Sequence, residues 1–375
     1  MCFTCWIKDK FNVNNHFIND YGVNFLNKNY LCWVKNIKIR LFSIMEILEK
    51  AKQNLEDKGF LNIETPNIDY VSEIKRLKKE KNAVILAHYY QIEEIQKIAD
   101  FVGDSLYLAQ KAAETNADMI VFAGVHFMAE TAKILNPTKK VVLPDLKAGC
   151  SLADSCPPKE FREFKQQNPN HVVVTYINCS AEIKALSDIV CTSSNAKAVI
   201  DSIPIDQPII FAPDKNLGAY LNKETGRNML LWDGACMVHE AFSVEKLINL
   251  FQKHPNAEII AHPESQSHIL KAASYIGSTS GLLKYVKNSE KETFIVATEA
   301  GILYQMMLEN PDKEIIPAPA KEDNTCACSE CMYMKMNSIK KLYLCMKYEL
   351  PAIEVDSELS KKAIVSINRM LELSK

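Results

Sequence analysis

Three cysteines of this 375-residue chain end similar stretches of sequence and could together bind a metal. Cys150 ends KVVLPDLKAGC, Cys236 ends NMLLWDGAC and Cys331 ends EIIPAPAKEDNTCACSEC, with separations of 86 and 95 residues. Three thiolates can hold either a tetrahedral zinc ion or three irons of a [4Fe-4S] cluster. In the second case one iron stays open to a substrate as a Lewis acid, which suits dehydration and condensation. The residues leave both possibilities open.

Polar pairs follow three apolar runs and supply titratable groups. The runs and their pairs are AVILAHYYQ with His88 and Tyr90, VVVTYINCS with Tyr176 and Asn178, and EIIAHPESQ with His262 and Glu264. Positions two apart point the same way on an extended chain, so each strand should present its pair at its carboxyl end. Imidazole, phenol and carboxyl groups there predict proton transfer. Each histidine alone could equally be a hydrogen-bonded residue of the core.

Short hydroxyl-bearing turns follow each run, and each turn precedes a helical pattern. The turns are Gly103-Asp104-Ser105, Cys191-Thr192-Ser193-Ser194 and Gly277-Ser278-Thr279. Hydroxyls and backbone N–H groups at a helix start bind carboxylate or phosphate, although any one of these residues could be a plain helix cap. Their shared position favours a substrate with several anionic groups, bound by Ser105, Ser193, Ser278 and Thr279.

All these groups recur at a spacing close to 87 residues, which indicates three copies of one unit. In each copy a second strand (MIVFAG, PIIFAP or FIVATE) leads into a helix (HFMAETAKIL, LGAYLNKE or GILYQMMLE), and a third strand precedes the cysteine. Apolar strands alternating with helices are typical of parallel sheets covered on both faces, whose ligands bind beyond the carboxyl ends of the strands. We predict an α/β protein with three pseudo-threefold-related three-layer α/β/α units around a central active-site cavity.

The repeat also predicts the domain boundaries. Residues 45–155, 156–240 and 241–331 are expected to form the three units, and residues 332–375 a C-terminal helical tail that returns to the first unit. Residues 1–44 mix asparagine and aromatic residues without helix or strand periodicity, whereas a helical pattern starts directly after Met45. We expect residues 1–44 to be an N-terminal extension that is disordered or not native.

Composition excludes several functional classes. A net charge of -2 gives no basic field for nucleic acid or anionic lipid. No run approaches the roughly 18 apolar residues of a membrane helix, and no secretory signal pattern is present, which predicts a cytoplasmic protein. Twelve cysteines without an export signal argue for metal binding by some of them rather than disulfides. Cys179, Cys191 and Cys345 are expected to be small apolar residues.

From about Ile74 to the C-terminus the chain resembles the quinolinate synthases, iron–sulfur enzymes of bacterial NAD biosynthesis. The motifs that carry the resemblance are AHYYQ, IADFVGDS, VHFMAE, KILNP, LPDLKAGC, VTYIN, CTSSNA, FAPDKNLG, GACMVHE, AHPES, GSTSG, ATEAG and CMYMKMN. The resemblance implies a threefold α/β architecture. It also implies that iminoaspartate and dihydroxyacetone phosphate are condensed to quinolinate, with loss of phosphate and water.

The resemblance further implies roles for individual residues. It places a [4Fe-4S] cluster on Cys150, Cys236 and Cys331. Tyr90 and Glu264 resemble acid–base groups, with His262 beside them as a third catalytic residue. The residues that it implies for substrate binding are His88, Ser105, Tyr176, Asn178, Ser193, His262, Glu264, Ser278 and Thr279.

The implied partners are the two small-molecule substrates, with neither nucleic acid nor membrane. A functional link to an imine-producing L-aspartate oxidase or aspartate dehydrogenase follows from the instability of iminoaspartate. The spacing in CACSEC departs from the CxxCxxC of some family members, so Cys326 and Cys328 are either oxidisable thiols or ordinary loop residues. The alternatives are a zinc-dependent hydrolase or aldolase using the same three cysteines, and an iron–sulfur or redox sensor.

Overall fold

A computed structural model describes residues 67–321 and 329–374. The predicted extension at 1–44, the helical pattern after Met45, and Cys326 and Cys328 lie outside the described residues. The described residues therefore begin inside the first predicted α/β unit, 45–155, and include every predicted site residue.

Within residues 67–321 and 329–374, twelve short strands form three separate parallel sheets. The strands are β1 Ala83–His88, β2 Phe101–Gly103, β3 Met119–Ala123, β4 Lys140–Val142, β5 Val172–Tyr176, β6 Ile189–Cys191, β7 Ile209–Ala212, β8 Leu230–Leu231, β9 Glu258–Ala261, β10 Tyr275–Ile276, β11 Thr293–Ala297 and β12 Glu314–Pro317. The sheet orders are β2-β1-β3-β4, β6-β5-β7-β8 and β10-β9-β11-β12, which are the same order three times. The predicted α/β class with three repeated parallel units is confirmed.

Each sheet contains one strand more than the sequence predicted. These additional strands are β2, β6 and β10, which have only two or three residues and lie at the sheet edge. Runs this short carry too few apolar positions to show a strand period. β2 and β6 end on the first residue of a hydroxyl-bearing turn, and β10 ends directly before one, so each strand fixes where its turn begins.

The central strands of the three sheets are buried and end level with one another. β1 and β3, β5 and β7, and β9 and β11 pair in parallel. Their last aligned pairs are Ala87 with Ala123, Thr175 with Ala212, and Ala261 with Ala297. The polar residues that follow these strands therefore leave each sheet from the same edge.

Helices cover the sheets and continue from their carboxyl ends. They are α1 Tyr70–Glu80, α2 Glu93–Ile98, α3 Ser105–Glu114, α4 His126–Leu135, α5 Ser151–Asp154, α6 Pro158–Gln167, α7 Ala181–Leu186, α8 Ala196–Asp201, α9 Lys215–Thr225, α10 Met237–Glu240, α11 Val244–Lys253, α12 Ser267–Ala272, α13 Thr279–Asn288, α14 Ile302–Glu309, α15 Ile339–Tyr348 and α16 Ser357–Glu372, with a 3-10 helix at Met334–Met336. Among the residues described, no helix combines the length and apolar character needed to cross a membrane.

The last two helices pack on different units. α15 buries Leu342 and Leu344 in the apolar cluster that contains Ile74 of α1. α16 buries Ile367 and Met370 in the larger cluster that also holds residues of α4, α7 and β6. The C-terminal segment thus contacts the first and second units together.

Candidate active site

Each predicted cysteine ligand lies at the start of a short helical turn. Cys150 and Cys236 are the N-cap residues of α5 and α10, and Cys331 precedes the 3-10 helix. The backbone N–H of the residue three positions later, which is Ala153, His239 or Met334, lies close enough to each sulfur to oppose the rise that burial causes in the pKa of that thiol. N–H groups aimed at a sulfur stabilise a thiolate. The three loops therefore present their thiols in the same local geometry.

The three thiols line one cavity, although they follow three different sheets. Burial raises the pKa of Cys150 to about 12, and the nearby Cys331 thiol adds to the shift. Burial also raises the pKa of Cys236 well above its ordinary value, with Glu264 and Cys150 contributing. Buried thiols that raise one another's pKa are protonated at neutral pH in the absence of a cation. A bound metal ion would reverse that preference.

Two histidines that follow equivalent strands share one tautomer. His88 Nδ1 accepts the backbone N–H of Tyr90 at 3.1 Å, and His262 Nδ1 accepts that of Glu264 at 3.3 Å. A neutral imidazole whose Nδ1 accepts carries its proton on Nε2. Burial lowers the pKa of His88 to about 4 and that of His262 to about 3, so both rings are neutral donors. His262 Nε2 is buried without a hydrogen-bond partner.

Glu264 is the most densely contacted of the predicted catalytic residues. Its Oε1 accepts the hydroxyl of Tyr176 at 2.6 Å, and its Oε2 lies 3.4 Å from His239 Nδ1 in a geometry that makes no hydrogen bond. Burial alone raises the pKa of this carboxyl, but His239, His262 and the Tyr176 hydroxyl outweigh burial and lower it to about 2. Glu264 is therefore ionised inside the cavity.

Tyr90 also lines the cavity, and it keeps its proton at neutral pH. Its hydroxyl is 3.0 Å from Thr279 Oγ1 and 3.0 Å from Thr298 Oγ1. Burial raises the pKa of Tyr90 far above its ordinary value, and the charge of Glu264 adds to the shift. The two groups predicted to move protons thus have pKa values displaced in opposite directions, which is the pattern of an acid and a base with separate roles.

The three hydroxyl-bearing turns lie close together, but only some of their hydroxyl residues line the cavity. Ser105, Ser193 and Thr279 line the cavity. Ser105 and Thr279 are first residues of α3 and α13, whereas Ser193 lies in a turn before α8 and hydrogen bonds to Tyr176. Ser278 is the N-cap of α13, and its hydroxyl accepts the N–H of Gly281 at 3.1 Å. For Ser278 the placement is that of a helix cap.

Most of the predicted site residues converge on this cavity. Those that line it are His88, Tyr90, Ser105, Cys150, Tyr176, Asn178, Ser193, Cys236, Glu264, Thr279 and Cys331. His262 and Ser278 are not among the lining residues, although His262 Nδ1 lies 3.4 Å from Glu264 Oε1 and Ser278 directly precedes Thr279. The second member of each polar pair stands in the turn after its strand, so the turns, rather than side-chain alternation, aim the pairs at the cavity.

Several cavity residues were not singled out from the sequence. His239 follows Cys236 by three positions on α10, a C-x-x-H spacing that places both on one helix face and could have identified it. Glu299 follows β11 as Glu264 follows β9. Asp104 is the N-cap of α3, and its Oδ2 accepts the hydroxyls of Ser194 and Ser280, each at 2.6 Å. One carboxylate therefore ties together turns that belong to all three units.

The donor set fits a metal centre in two ways. Three thiols supplied by separate units, each with a backbone N–H close to its sulfur, suit three irons of a cluster and leave the fourth corner to the cavity. Cys236, His239 and Glu264 also form a closer group, with one ligand atom from each within 4.8 Å of the others. Thiolate, imidazole and carboxylate are a donor set that zinc accepts.

Comparison with known proteins identifies the family. The family model NadA, described as quinolinate synthetase A protein, matches residues 72–372. A quinolinate synthase of Microcystis aeruginosa is 60% identical over 306 residues, which are 82% of this chain and 95% of the relative. The quinolinate synthases of Chloroherpeton thalassium and a Synechococcus strain are 58% and 57% identical over 308 and 319 residues, covering 82% and 84% of this chain and 95% and 99% of the relatives. With so much of its length matched at this identity, the chain belongs to the quinolinate synthase family of enzymes.

Proposed function

We propose that this protein is a quinolinate synthase of de novo NAD biosynthesis, condensing iminoaspartate with dihydroxyacetone phosphate to quinolinate and releasing phosphate and water. The observation that carries the proposal is the convergence of three cysteine loops and three sets of strand-end polar groups on one cavity, in a chain of this family. Both substrates carry several negative charges and both react through carbonyl or imine carbon atoms. The cavity offers donors for the charges and separate groups for the protons.

The hydroxyls and Asn178 bind and orient the substrates. Ser105 and Thr279 bring the first turns of two helices of ten residues to the cavity, and such turns favour carboxylate or phosphate. Asn178 lines the cavity with its Oδ1 buried and lacking a hydrogen-bond partner, so it accepts an N–H from the substrate nitrogen. The neutral Nε2–H of His88 donates to a substrate oxygen.

Tyr90 and Glu264 transfer protons in opposite directions. Glu264 is ionised and takes a proton from substrate carbon or nitrogen, while its bond to the Tyr176 hydroxyl keeps the carboxylate oriented. Tyr90 holds its proton and donates it to a departing oxygen. The donors around both groups are fixed before the reaction, which is how a buried polar site stabilises developing charge.

Cys150, Cys236 and Cys331 would hold the [4Fe-4S] cluster, with their raised pKa values reversed by the metal charge. When bound, the cluster supplies an open iron that acts as a Lewis acid toward a substrate oxygen. The unstable imine is supplied by an L-aspartate oxidase or aspartate dehydrogenase, and the reaction takes place in the cytoplasm.

A zinc-dependent hydrolase or aldolase is the second candidate, favoured by the close grouping of Cys236, His239 and Glu264. Anaerobic purification with iron, sulfide and zinc counts distinguishes the two. We expect a brown protein with about four irons and four sulfides that forms quinolinate from the two substrates. A colourless zinc protein that makes no quinolinate would refute the proposal and support the second candidate.

A further inference from the structure

The three cysteine loops are anchored by equivalent backbone hydrogen bonds. In each unit a residue just after the second central strand donates its N–H to the carbonyl two positions before the cysteine. The bonds are His126 N to Ala148 O at 2.7 Å, Lys215 N to Gly234 O at 2.9 Å and Ala300 N to Ser329 O at 2.8 Å. The fold therefore fixes the backbone of all three cysteine loops by the same kind of hydrogen bond.

The side chain directly before that anchor differs in the three units. It is Val125 in the first, Asp214 in the second and Glu299 in the third. Val125 cannot accept a hydrogen bond, and Asp214 leaves its Oδ2 without a partner. Burial raises the pKa of Asp214, and the nearby N–H of Cys236 is one of the groups that oppose that rise. Glu299 is one carbon longer and makes a direct hydrogen bond to its cysteine, because its Oε1 accepts the N–H of Cys331 at 2.9 Å.

Glu299 also holds two other groups in place. Its Oε1 lies 3.0 Å from Lys335 Nζ, and its Oε2 accepts the N–H of Gly301 at 2.7 Å. Lys335 Nζ in turn donates to the backbone carbonyl of Tyr90 at 2.7 Å. Glu299 is 1% exposed, so this ion pair connects the Cys331 loop to the Tyr90 backbone inside the protein.

The chain packs closely where these groups meet. A Cβ added at Gly301 would lie 2.7 Å from the Tyr90 Cα, so the backbones of the first and third units touch at this point. A buried carboxylate and lysine are costly to desolvate and are weak evidence for stability in themselves. Here they satisfy the N–H of the cysteine ligand Cys331, the carbonyl of the acid Tyr90 and the N–H of Gly301 between them.

We propose that Glu299 and Lys335 are positioning residues that fix Cys331 and Tyr90 relative to each other, a role that rests on the proposed function. Glu299 orients the third cysteine through its own N–H, and Lys335 transmits that position to the backbone of the proton donor. Groups that support metal ligands from behind typically contribute about 10- to 100-fold in metal affinity or activity.

The first test is Glu299→Gln. Glutamine keeps the size but has one acceptor oxygen, so one of the two backbone N–H groups faces an amide NH2. We expect an iron chelator to remove the cluster at least about tenfold faster and the electron paramagnetic resonance spectrum of the reduced cluster to change. We also expect kcat to fall about tenfold, with KM within a few-fold of the parent.

The second test separates the two contacts. Lys335→Met removes the donor to Tyr90 but leaves Glu299 able to accept the N–H of Cys331. It should lower kcat while chelator release stays within a few-fold of the parent, and Lys335→Arg should restore part of kcat.

A matched control is Asp100→Asn. Asp100 likewise pairs with a lysine, Lys78 at 2.7 Å, and accepts a backbone N–H, that of Ile85 at 2.9 Å, but it does not line the cavity. Folding of every variant is checked by circular dichroism. The positioning role is overturned if Glu299→Gln matches the parent in chelator release and spectrum, or if Asp100→Asn changes them equally. The parent alone reports on the proposed function, through its iron content and quinolinate formation.

Discussion

In the first and third units an equivalent backbone hydrogen bond anchors the cysteine loop, but the ion pair that stabilises the loop differs between the two units. In the third unit Glu299 contacts the N–H of Cys331 itself. In the first unit the equivalent position is apolar, and a buried carboxylate stands inside the loop instead. This is Asp145, whose Oδ2 lies 2.5 Å from Lys341 Nζ and whose Oδ1 accepts the N–H of Lys147.

Both lysines come from the C-terminal segment, so one stretch of chain stabilises two cysteine loops from outside the sheets. The two carboxylates differ in whether they contact the cysteine ligand directly. Asp145 acts on the loop before Cys150, through its carbonyl bond from Ala148 N at 3.0 Å, whereas Glu299 acts on the ligand residue and, through Lys335, on Tyr90. The repeated fold supplies the scaffold, and single side chains then specialise each unit.

The largest expected effect tests what the units share. Replacing Cys150, Cys236 or Cys331 by Ser should abolish the brown colour and quinolinate formation, because each unit contributes one ligand. Cys179→Ser and Cys191→Ser, which alter fully buried thiols outside the cavity, should leave the cluster in place. Iron and sulfide counts with a quinolinate assay measure both. A coloured, active Cys236→Ser protein would show that the three loops are not equivalent.

The next largest effect tests the proton-transfer groups that follow the central strands, Tyr90 in the first unit and Glu264 in the third. Tyr90→Phe removes the proton that Tyr90 donates, and Glu264→Gln removes the carboxylate that accepts a proton, while each change keeps the shape of the side chain. General acids and bases contribute about 10² to 10⁴ in rate, so kcat should fall by that factor while iron content is unchanged. Steady-state kinetics on protein with measured iron content tests this prediction. A kcat within a few-fold of the parent for Glu264→Gln would remove it from proton transfer.

Much of this arrangement follows from sequence, and the exceptions have a common cause. The apolar runs before His88, Tyr176 and His262 predict the buried central strands, because burial on both faces leaves a nearly continuous apolar pattern. Glu299 was missed because its partner Cys331 lies 32 residues further along the chain, and no local pattern records such a contact. His239 was missed although its C-x-x-H spacing from Cys236 was available, because its contact with Glu264 joins the second and third units. Ser278 and Thr279 are adjacent hydroxyl residues, but Ser278 caps its own helix by accepting the N–H of Gly281, whereas Thr279 lines the cavity. The sequence does not show which of the two hydroxyls makes the cap.

A smaller effect separates the hydroxyls of the first and third units. Ser105→Ala should raise KM by an amount equivalent to roughly 1–2 kcal/mol with little change in kcat, because the role proposed for its hydroxyl is to bind an anionic group of the substrate. Thr279→Ala should raise KM similarly and also lower kcat, because Thr279 Oγ1 is hydrogen bonded to the Tyr90 hydroxyl at 3.0 Å. Measuring both constants for both variants tests the distinction. Equal effects on kcat would mean that the Thr279 bond does not orient Tyr90.

The smallest expected effect on the cluster comes from Asp145→Asn. Asparagine can still accept the N–H of Lys147 but loses the charge paired with Lys341, so the free energy of unfolding should fall by about 1–3 kcal/mol. Because Asp145 does not contact the N–H of Cys150, chelator release should stay within about threefold of the parent, below the tenfold expected for Glu299→Gln. Urea unfolding and chelator kinetics on anaerobically purified protein give the two quantities. If Asp145→Asn lost its cluster as fast as Glu299→Gln, direct contact with the ligand residue would not be what distinguishes the two ion pairs, and the first and third units would support their cysteines equally.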